Sequence, residues 1–149
     1  MSSISTYTSA QSVSRSTSRG HFTKIGLATV AAAVLANALF YFIARAFVTY
    51  DPDFIILSNV SGAVIFTAFF AIAAVAVYAG LVRFTGNAVR NFKVIAAVFL
   101  VVSIVPDYTI ILDEPGTSLG QATVLALMHV IAAAVIVPML TTLAHPGTR

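Results

Sequence analysis

Four long apolar blocks alternate with short polar segments along the 149-residue chain. A helix rises about 1.5 Å per residue, so about 20 residues cross the roughly 30 Å hydrocarbon core of a bilayer. Backbone groups in lipid must be hydrogen-bonded within their own segment, which requires each block to be helical. The pattern therefore predicts four transmembrane helices over about residues 25–48, 54–82, 90–112 and 119–143.

The first 24 residues differ from the rest of the chain because they are rich in Ser and Thr and poor in apolar side chains. Such a segment buries too little apolar surface to offset the entropy that ordering would cost. We therefore expect a disordered cytoplasmic tail over residues 1–24, a helical membrane domain over residues 25–144 and a short tail over residues 145–149. A Ser-rich start with Arg and no acidic residue is also typical of an organellar transit peptide, which is the less favoured interpretation.

Charged residues are scarce in this chain. They make up 9% of the residues, against about 25% in an ordinary soluble domain, while 59% are hydrophobic. A soluble enzyme is therefore nearly excluded, since too few polar groups are available to cover its surface. The absence of cysteine also excludes disulfide scaffolds and thiol catalysis.

The charges also sort by side of the predicted membrane. All of the eight basic residues except Arg45 lie before the first helix, between the second and third helices, or at the end of the chain. All five acidic residues lie in the other two links. Because Lys and Arg in short loops mark the cytoplasmic side, both termini are predicted to be cytoplasmic, in a plasma (or bacterial inner) membrane. The fold class is thus all-α, an antiparallel up-down-up-down bundle of four transmembrane helices, and the net charge of +3 does not indicate nucleic-acid binding.

Four polar residues within the predicted helices are candidates for an intramembrane polar pocket: Asn37, Ser103, Asp107 and His129. Polar groups inside a membrane must be hydrogen-bonded or face water, which makes them the first candidates for function. Counted along their helices, Asn37 and His129 lie at about the same depth in the outer half of the bilayer. Asp107 lies in the membrane core if the third helix begins at Val94, and at the outer interface if it begins near Ala88. The sequence does not decide between these two positions.

This pocket has two interpretations. In the functional one, Pro106 opens the third helix, Asp107 becomes hydrated, and an aspartate beside His129 supports proton binding. In the structural one, His129 bonds Asn37 or a backbone carbonyl and holds the register of the bundle. The structural interpretation is favoured, because a lone histidine inside a membrane domain is more often such a tie than a ligand.

A second set of polar residues is expected at the outer membrane interface: Arg45, Ser58, Asn59 and Ser61. Arg45 is expected to snorkel towards the headgroups with only loose pairing, and the alternative is a pair with Asp51, Asp53 or Asp107. The other three are expected to cap the start of the second helix. The chain has no phosphate-binding glycine loop, no nucleophile elbow and no metal-ligand motif, so no catalytic residue, metal or cofactor is predicted.

Two short motifs also carry a resemblance to a known family. They are Ser103-Ile-Val-Pro106-Asp107 in the third predicted helix and Leu125-Ala-Leu-Met128-His129 in the fourth, which is followed by Pro138. With Asn37, they resemble a bacterial family of small four-helix integral membrane proteins over about residues 25–143. The resemblance implies the same architecture and draws attention to Met128-His129. It implies no biochemical activity.

Three functions follow as hypotheses. The leading one is a non-enzymatic membrane bundle or accessory subunit that acts through helix contacts. The second is a small transporter or channel with a proton-sensitive pocket in the outer half of the bundle, and the third is a membrane enzyme acting on a lipid or quinone. The expected partners are the lipid bilayer and either a second copy of the chain or another membrane protein.

Overall fold

A computed structural model describes the backbone of residues 4–144 and the side chains of residues 20–144. Over this range the chain is helical and contains no strand, which confirms the predicted all-α class. The five helices are α1 (Ile4–Ala44), α2 (Ile55–Ser58), α3 (Val60–Phe84), α4 (Ala88–Thr109) and α5 (Leu119–Pro138). A 3-10 turn (Ile111–Asp113) follows α4, and a π-helical turn (Met139–Leu143) continues α5. The tail predicted over residues 145–149 lies outside the described residues.

Four helical segments are long and apolar enough to cross a membrane, as predicted: Gly20–Ala44, Val60–Phe84, Ala88–Asp113 and Leu119–Leu143. Each has 25 or 26 residues, which exceeds the roughly 20 that a bilayer core requires. Large apolar side chains such as Leu27, Phe69 and Val98 point away from the protein interior and are exposed. An apolar exterior of this kind fits a membrane protein, because lipid tails rather than water would contact it.

The first helix begins further upstream than predicted. It starts at Ile4, so the structure has a helix where the sequence predicted a disordered tail up to residue 24. Residues 4–19 contain neither Gly nor Pro, and the Ser and Thr that dominate them have only a moderate cost in a helix. Extending an existing helix costs far less free energy than nucleating a new one. The helix formed by the apolar segment therefore extends towards the N-terminus.

The predicted second helix is broken at Asn59. Its backbone is extended (φ −138°, ψ 142°), and its side-chain Oδ1 accepts a hydrogen bond of 3.0 Å from the backbone N–H of Ser61. This is an N-cap, so α3 begins there and α2 remains a separate single turn. Gly62 allows the two to fold against each other, because a Cβ at this position would lie 2.6 Å from the carbonyl oxygen of Ile56.

Neighbouring helices run antiparallel, so the bundle is up-down-up-down. Asn37 of α1 bonds Thr67 of α3, while Phe22 of α1 stacks on Tyr78 near the other end of α3. α1 packs extensively on both α3 and α5, and α4 packs extensively on α5. The contact between α3 and α4 is much sparser. The bundle is therefore closed on three sides and loosely joined on the fourth.

The two ends of the bundle carry different side chains. The acidic end contains the links over residues 45–54 and 110–118, and its buried core is centred on Tyr41, Phe54 and Leu57. The basic end contains Lys24, Arg83 and Arg90, and its buried core is centred on Tyr78, Phe92 and Leu140. We use these two names below.

The core at the acidic end includes buried tyrosine hydroxyls. Tyr41 donates to the carbonyl of Leu57 at 2.9 Å, and Tyr50 donates to the carbonyl of Tyr41 at 3.1 Å. Burial, together with the neighbouring Tyr41, raises the pKa of Tyr50 to about 12, and the charge of Arg45 acts in the opposite direction. These bonds connect α1, the loop that follows it and α2 at this end.

Candidate functional site: a cavity between three helices

A cavity of about 440 Å³ lies between α3, α4 and α5. Five polar residues line it, and the other lining residues are apolar or glycine. The five include all four residues of the predicted intramembrane pocket together with one that was not predicted: Asn37, Thr67, Ser103, Asp107 and His129. Tertiary structure therefore brings residues from α1, α3, α4 and α5 to one cavity.

The cavity exists because α3 and α4 do not pack closely. Their ring contacts are Phe70 with Phe99, at a centroid distance of 5.7 Å, and Tyr78 with Phe92, at 5.1 Å. Both contacts lie in the middle or at the basic end of these helices. Towards the acidic end Phe66 lines the cavity and is nevertheless 55% exposed. The cavity is thus accessible from the side of the bundle, through the gap between α3 and α4.

Asp107 and His129 face each other across α4 and α5. The Nδ1 atom of His129 lies 3.3 Å from Oδ2 of Asp107 and 2.9 Å from the carbonyl oxygen of Leu125. A carbonyl only accepts, so Nδ1 carries a hydrogen and donates it to Leu125. Oδ2 of Asp107 receives no hydrogen bond of good geometry, although the imidazole is near it. The interaction between the two side chains is therefore electrostatic.

The structure shows where α4 begins and how Asp107 is buried among the helices. α4 begins at Ala88, the start for which counting along the helix predicted Asp107 at the outer interface. The residue is 4% exposed, and it contacts His129, ten residues or about 15 Å into α5. The helical segment continues beyond Asp107 to Asp113, which leaves the carboxylate inside the bundle rather than at its edge.

Asn37 connects α1 to α3. Its Nδ2 donates a hydrogen bond of 2.9 Å to Oγ1 of Thr67, and the amide is 3% exposed. The structural interpretation gave His129 either Asn37 or a backbone carbonyl as its partner, and among the described residues the partner is the carbonyl of Leu125. The Oδ1 atom of Asn37 is buried and receives no hydrogen bond.

Ser103 lines the same cavity from α4. Its hydroxyl donates to the carbonyl of Phe99, one turn earlier, at 2.7 Å. Pro106 is accommodated inside α4 without ending it, and the helix continues to Thr109. The predicted opening of the helix at Pro106 is therefore not observed, because the residues around it retain helical geometry.

The four residues predicted at the outer interface all lie at the acidic end. Arg45 follows the last residue of α1 and is exposed, and the sole contact of an acidic with a basic side chain among the described residues is that of Asp107 with His129. Ser58 ends α2 and donates to the carbonyl of Ile55 at 3.0 Å. Asn59 and Ser61 form the N-terminal cap of α3 that was described above. These residues are separate from the cavity.

Sequence reasoning missed Thr67, which is the partner of Asn37. A threonine within an apolar helix commonly bonds the carbonyl one turn earlier, as Thr29 does with Ile25 at 2.8 Å, so its presence alone does not indicate a contact between helices. A signal was nevertheless available. Thr67 lies seven residues into α3 and Asn37 seven residues before the end of α1, so antiparallel packing places them at the same depth.

No group of three or more potential metal ligands occurs among the residues that the structure describes. The chain belongs to the family of unknown function DUF6069, which matches residues 17–146. This membership confirms the resemblance to a family of small uncharacterised membrane proteins. Comparisons with curated proteins and with solved structures found no match.

Proposed function

We propose that this protein is a multi-pass protein of the cell membrane, with both termini in the cytoplasm, that binds a largely apolar molecule in its cavity without transforming it. The observation that carries the proposal is the cavity itself. Its volume of about 440 Å³ lies in the range of small-molecule sites, which are mostly apolar with a few placed polar groups.

The proposed orientation rests on charge. The basic end contains Lys24, Arg83 and Arg90, and the acidic end contains the loops with the acidic residues. The positive-inside rule assigns the basic end to the cytoplasm. The polar residues of the cavity then lie in the outer half of the bilayer, and the gap between α3 and α4 faces lipid. A ligand dissolved in the outer leaflet would enter without crossing water.

Binding is favoured over catalysis by the state of the polar groups. The hydroxyl of Ser103 is bonded to its own helix, and Nδ1 of His129 is bonded to the carbonyl of Leu125. Neither side chain is placed to activate the other. These polar groups can recognise one polar part of a ligand within an otherwise apolar cavity. This supports a binding or accessory role.

Filling the cavity tests this proposal. Ala133 lines the cavity from α5, whereas its neighbour Ala134 is exposed and does not line it. In nanodiscs of phosphatidylcholine, we expect Ala133→Phe to abolish binding of 4-phenylbutanol, measured by isothermal titration calorimetry. Ala134→Phe is the matched control and should bind as the unmodified chain does. Absence of saturable binding to the unmodified chain would refute the proposal.

A second candidate function is proton-coupled transport, which the proximity of Asp107 and His129 favours. A carboxylate beside an imidazole is a common arrangement for proton exchange in membrane proteins. If it operates here, Asp107→Asn and His129→Gln should each abolish proton flux into proteoliposomes. Flux that is the same in both variants as in the unmodified protein would exclude this candidate.

A further inference from the structure

Two residues that line the cavity each have a buried oxygen atom that receives no hydrogen bond. The atoms are Oδ1 of Asn37 and Oδ2 of Asp107, and their residues are 3% and 4% exposed. Buried acceptors without a donor cost free energy, and folded proteins retain few of them. Because both residues line the same cavity, a single ligand there that reaches both oxygens would satisfy them.

Several of the protein's own donors around the cavity are already used. The amide of Asn37 donates to Thr67, the hydroxyl of Ser103 donates to Phe99, and Nδ1 of His129 donates to Leu125. In its neutral form, with the hydrogen on Nδ1, the imidazole of His129 leaves Nε2 as a further acceptor. Oδ1 of Asn37 and Oδ2 of Asp107 are thus left without a hydrogen bond from a protein donor, and a ligand that brings donors would satisfy them.

The charge of the lining residues further restricts the chemical class of the ligand. Among the described residues that line the cavity, Asp107 is the only acidic one, and its neighbour His129 makes no good hydrogen bond to Oδ2. A carboxylate in apolar surroundings is costly unless a cation pairs with it. Apart from its five polar residues and Gly62, the lining is apolar, and it includes the rings of Phe66, Phe70 and Phe99, which can pack against the apolar part of a ligand.

We propose that the ligand is a lipophilic ammonium ion that carries at least one N–H group, and that its N–H groups donate to Asp107 and Asn37. This inference rests on the proposed function, since it names the class of molecule that the cavity binds. Charge-assisted hydrogen bonds are the strongest that such a site provides. The ammonium group has two sources, a free lipophilic amine or the headgroup of an aminophospholipid.

Three probes of similar shape test the chemistry: 4-phenylbutylammonium, its N,N,N-trimethyl analogue, and 4-phenylbutanol. The trimethyl probe keeps the charge and has no N–H group, whereas the alcohol keeps a donor and has no charge. In nanodiscs of phosphatidylcholine, we expect the primary ammonium to bind about tenfold or more tightly than either of the others. Equal affinity for all three probes would overturn the inference and leave the proposed function standing. Absence of binding by all three would refute both.

Two substitutions that each remove one carboxylate test which residue contacts the ammonium group. Asp107→Asn removes the carboxylate from the cavity, and Asp113→Asn removes one from an exposed position in the following 3-10 turn. We expect Asp107→Asn to lose the preference for the ammonium probe while it still binds the alcohol, which also shows that the cavity is intact. Asp113→Asn should keep the preference. A preference that persists in Asp107→Asn would overturn the inference, and the three-probe comparison tests it even if that variant does not fold.

The source of the ammonium group is separated by changing the lipid. In nanodiscs that contain phosphatidylethanolamine, headgroup binding would compete and weaken the affinity for 4-phenylbutylammonium at least tenfold. Unchanged affinity would assign the site to free amines. Either result supports recognition of an ammonium group with N–H donors, provided that the preference over the trimethyl probe is present.

Discussion

Two interfaces of the same helix contrast sharply in this bundle. Against α1, the residues of α3 are packed closely. Ala71 is 0% exposed, and the space around Gly26 is so narrow that a Cβ there would lie 3.0 Å from a methyl group of Val75. Against α4, the same helix presents Phe66 and Phe70, which remain largely exposed. Small residues let helices approach closely, whereas bulky rings hold them apart and leave a cavity. One side of α3 thus stabilises the bundle, and the other forms the candidate site.

Placing a phenylalanine at the interface of α3 with α1, and another at its interface with α4, should give the largest difference in stability. Ala71→Phe places a ring where no space exists, so we expect a loss of about 3 kcal/mol or more in the free energy of unfolding. Ala73→Phe, two residues away, projects into the cavity side and should cost less than about 1 kcal/mol. Unfolding in mixed detergent micelles measures both. Equal destabilisation by the two variants would show that the interfaces do not differ in packing.

A second substitution tests the closure of the cavity at the acidic end. Gly62→Ala would place a Cβ 2.6 Å from the carbonyl oxygen of Ile56, so α2 must shift, and we expect a loss of about 1–3 kcal/mol. Gly80→Ala is the matched control in the same helix, because nothing lies within 4 Å of its added Cβ. That variant should gain about 0.5–1 kcal/mol from helix propensity. If both alanines stabilise the protein, the contact between α2 and α3 does not require glycine.

The hydrogen bond between Asn37 and Thr67 should contribute less to the free energy of unfolding than the close packing of α1 on α3. Thr67→Val keeps the shape of the side chain and removes the acceptor of the Asn37 amide. We expect a loss of about 1 kcal/mol in the free energy of unfolding, because hydrogen bonds between membrane helices average about 0.6 kcal/mol. Ser103→Ala removes a bond within α4 alone and should change stability by less than about 0.5 kcal/mol. A larger loss for Ser103→Ala than for Thr67→Val would contradict the assignment of Asn37 and Thr67 as the connection.

An effect that is absent at neutral pH is expected at the acidic-end core, and only at high pH. The pKa of Tyr50 is raised from 10.0 to about 12, so the fold favours the neutral phenol. This contribution is fully present below pH 10 and is lost as the pH rises from 10 through about 12. Thermal unfolding followed over this range should show the loss, and Tyr50→Phe should reduce it. A pH profile that is identical in the variant would exclude Tyr50 as its origin.

Much of the architecture followed from apolar patterning because a bilayer imposes one requirement on every residue within it. Most ends of the four spans were predicted to within a few residues. The reason is that only a helix satisfies the hydrogen bonds of the backbone in lipid. Breaks within an apolar run were less predictable. Asn59 interrupts the second block through a local hydrogen bond to Ser61, and both helix and cap are compatible with that sequence.

The site was predicted in part, and the reason is geometric. Depth along a helix is a one-dimensional quantity, so Asn37 and His129 were placed at a similar level by counting residues. Direction around the helix depends on packing. The side chain of Asn37 turns to Thr67, and that of His129 turns to its own helix and Asp107. Counting along α4 likewise could not show that Asp107 is buried, because its burial depends on how α5 lies beside it.

The sequence by itself determined the class, the number of spans and the separation of charge between the two ends, because these depend on local composition and on the properties of lipid. Only the tertiary structure decided that α3 packs tightly on α1 and loosely on α4, and that the gap becomes a cavity bordered by Asn37 and Asp107. Packing between helices depends on the shapes of several segments at once. No single segment contains that information, and the acceptors without donors become visible only when the helices are assembled.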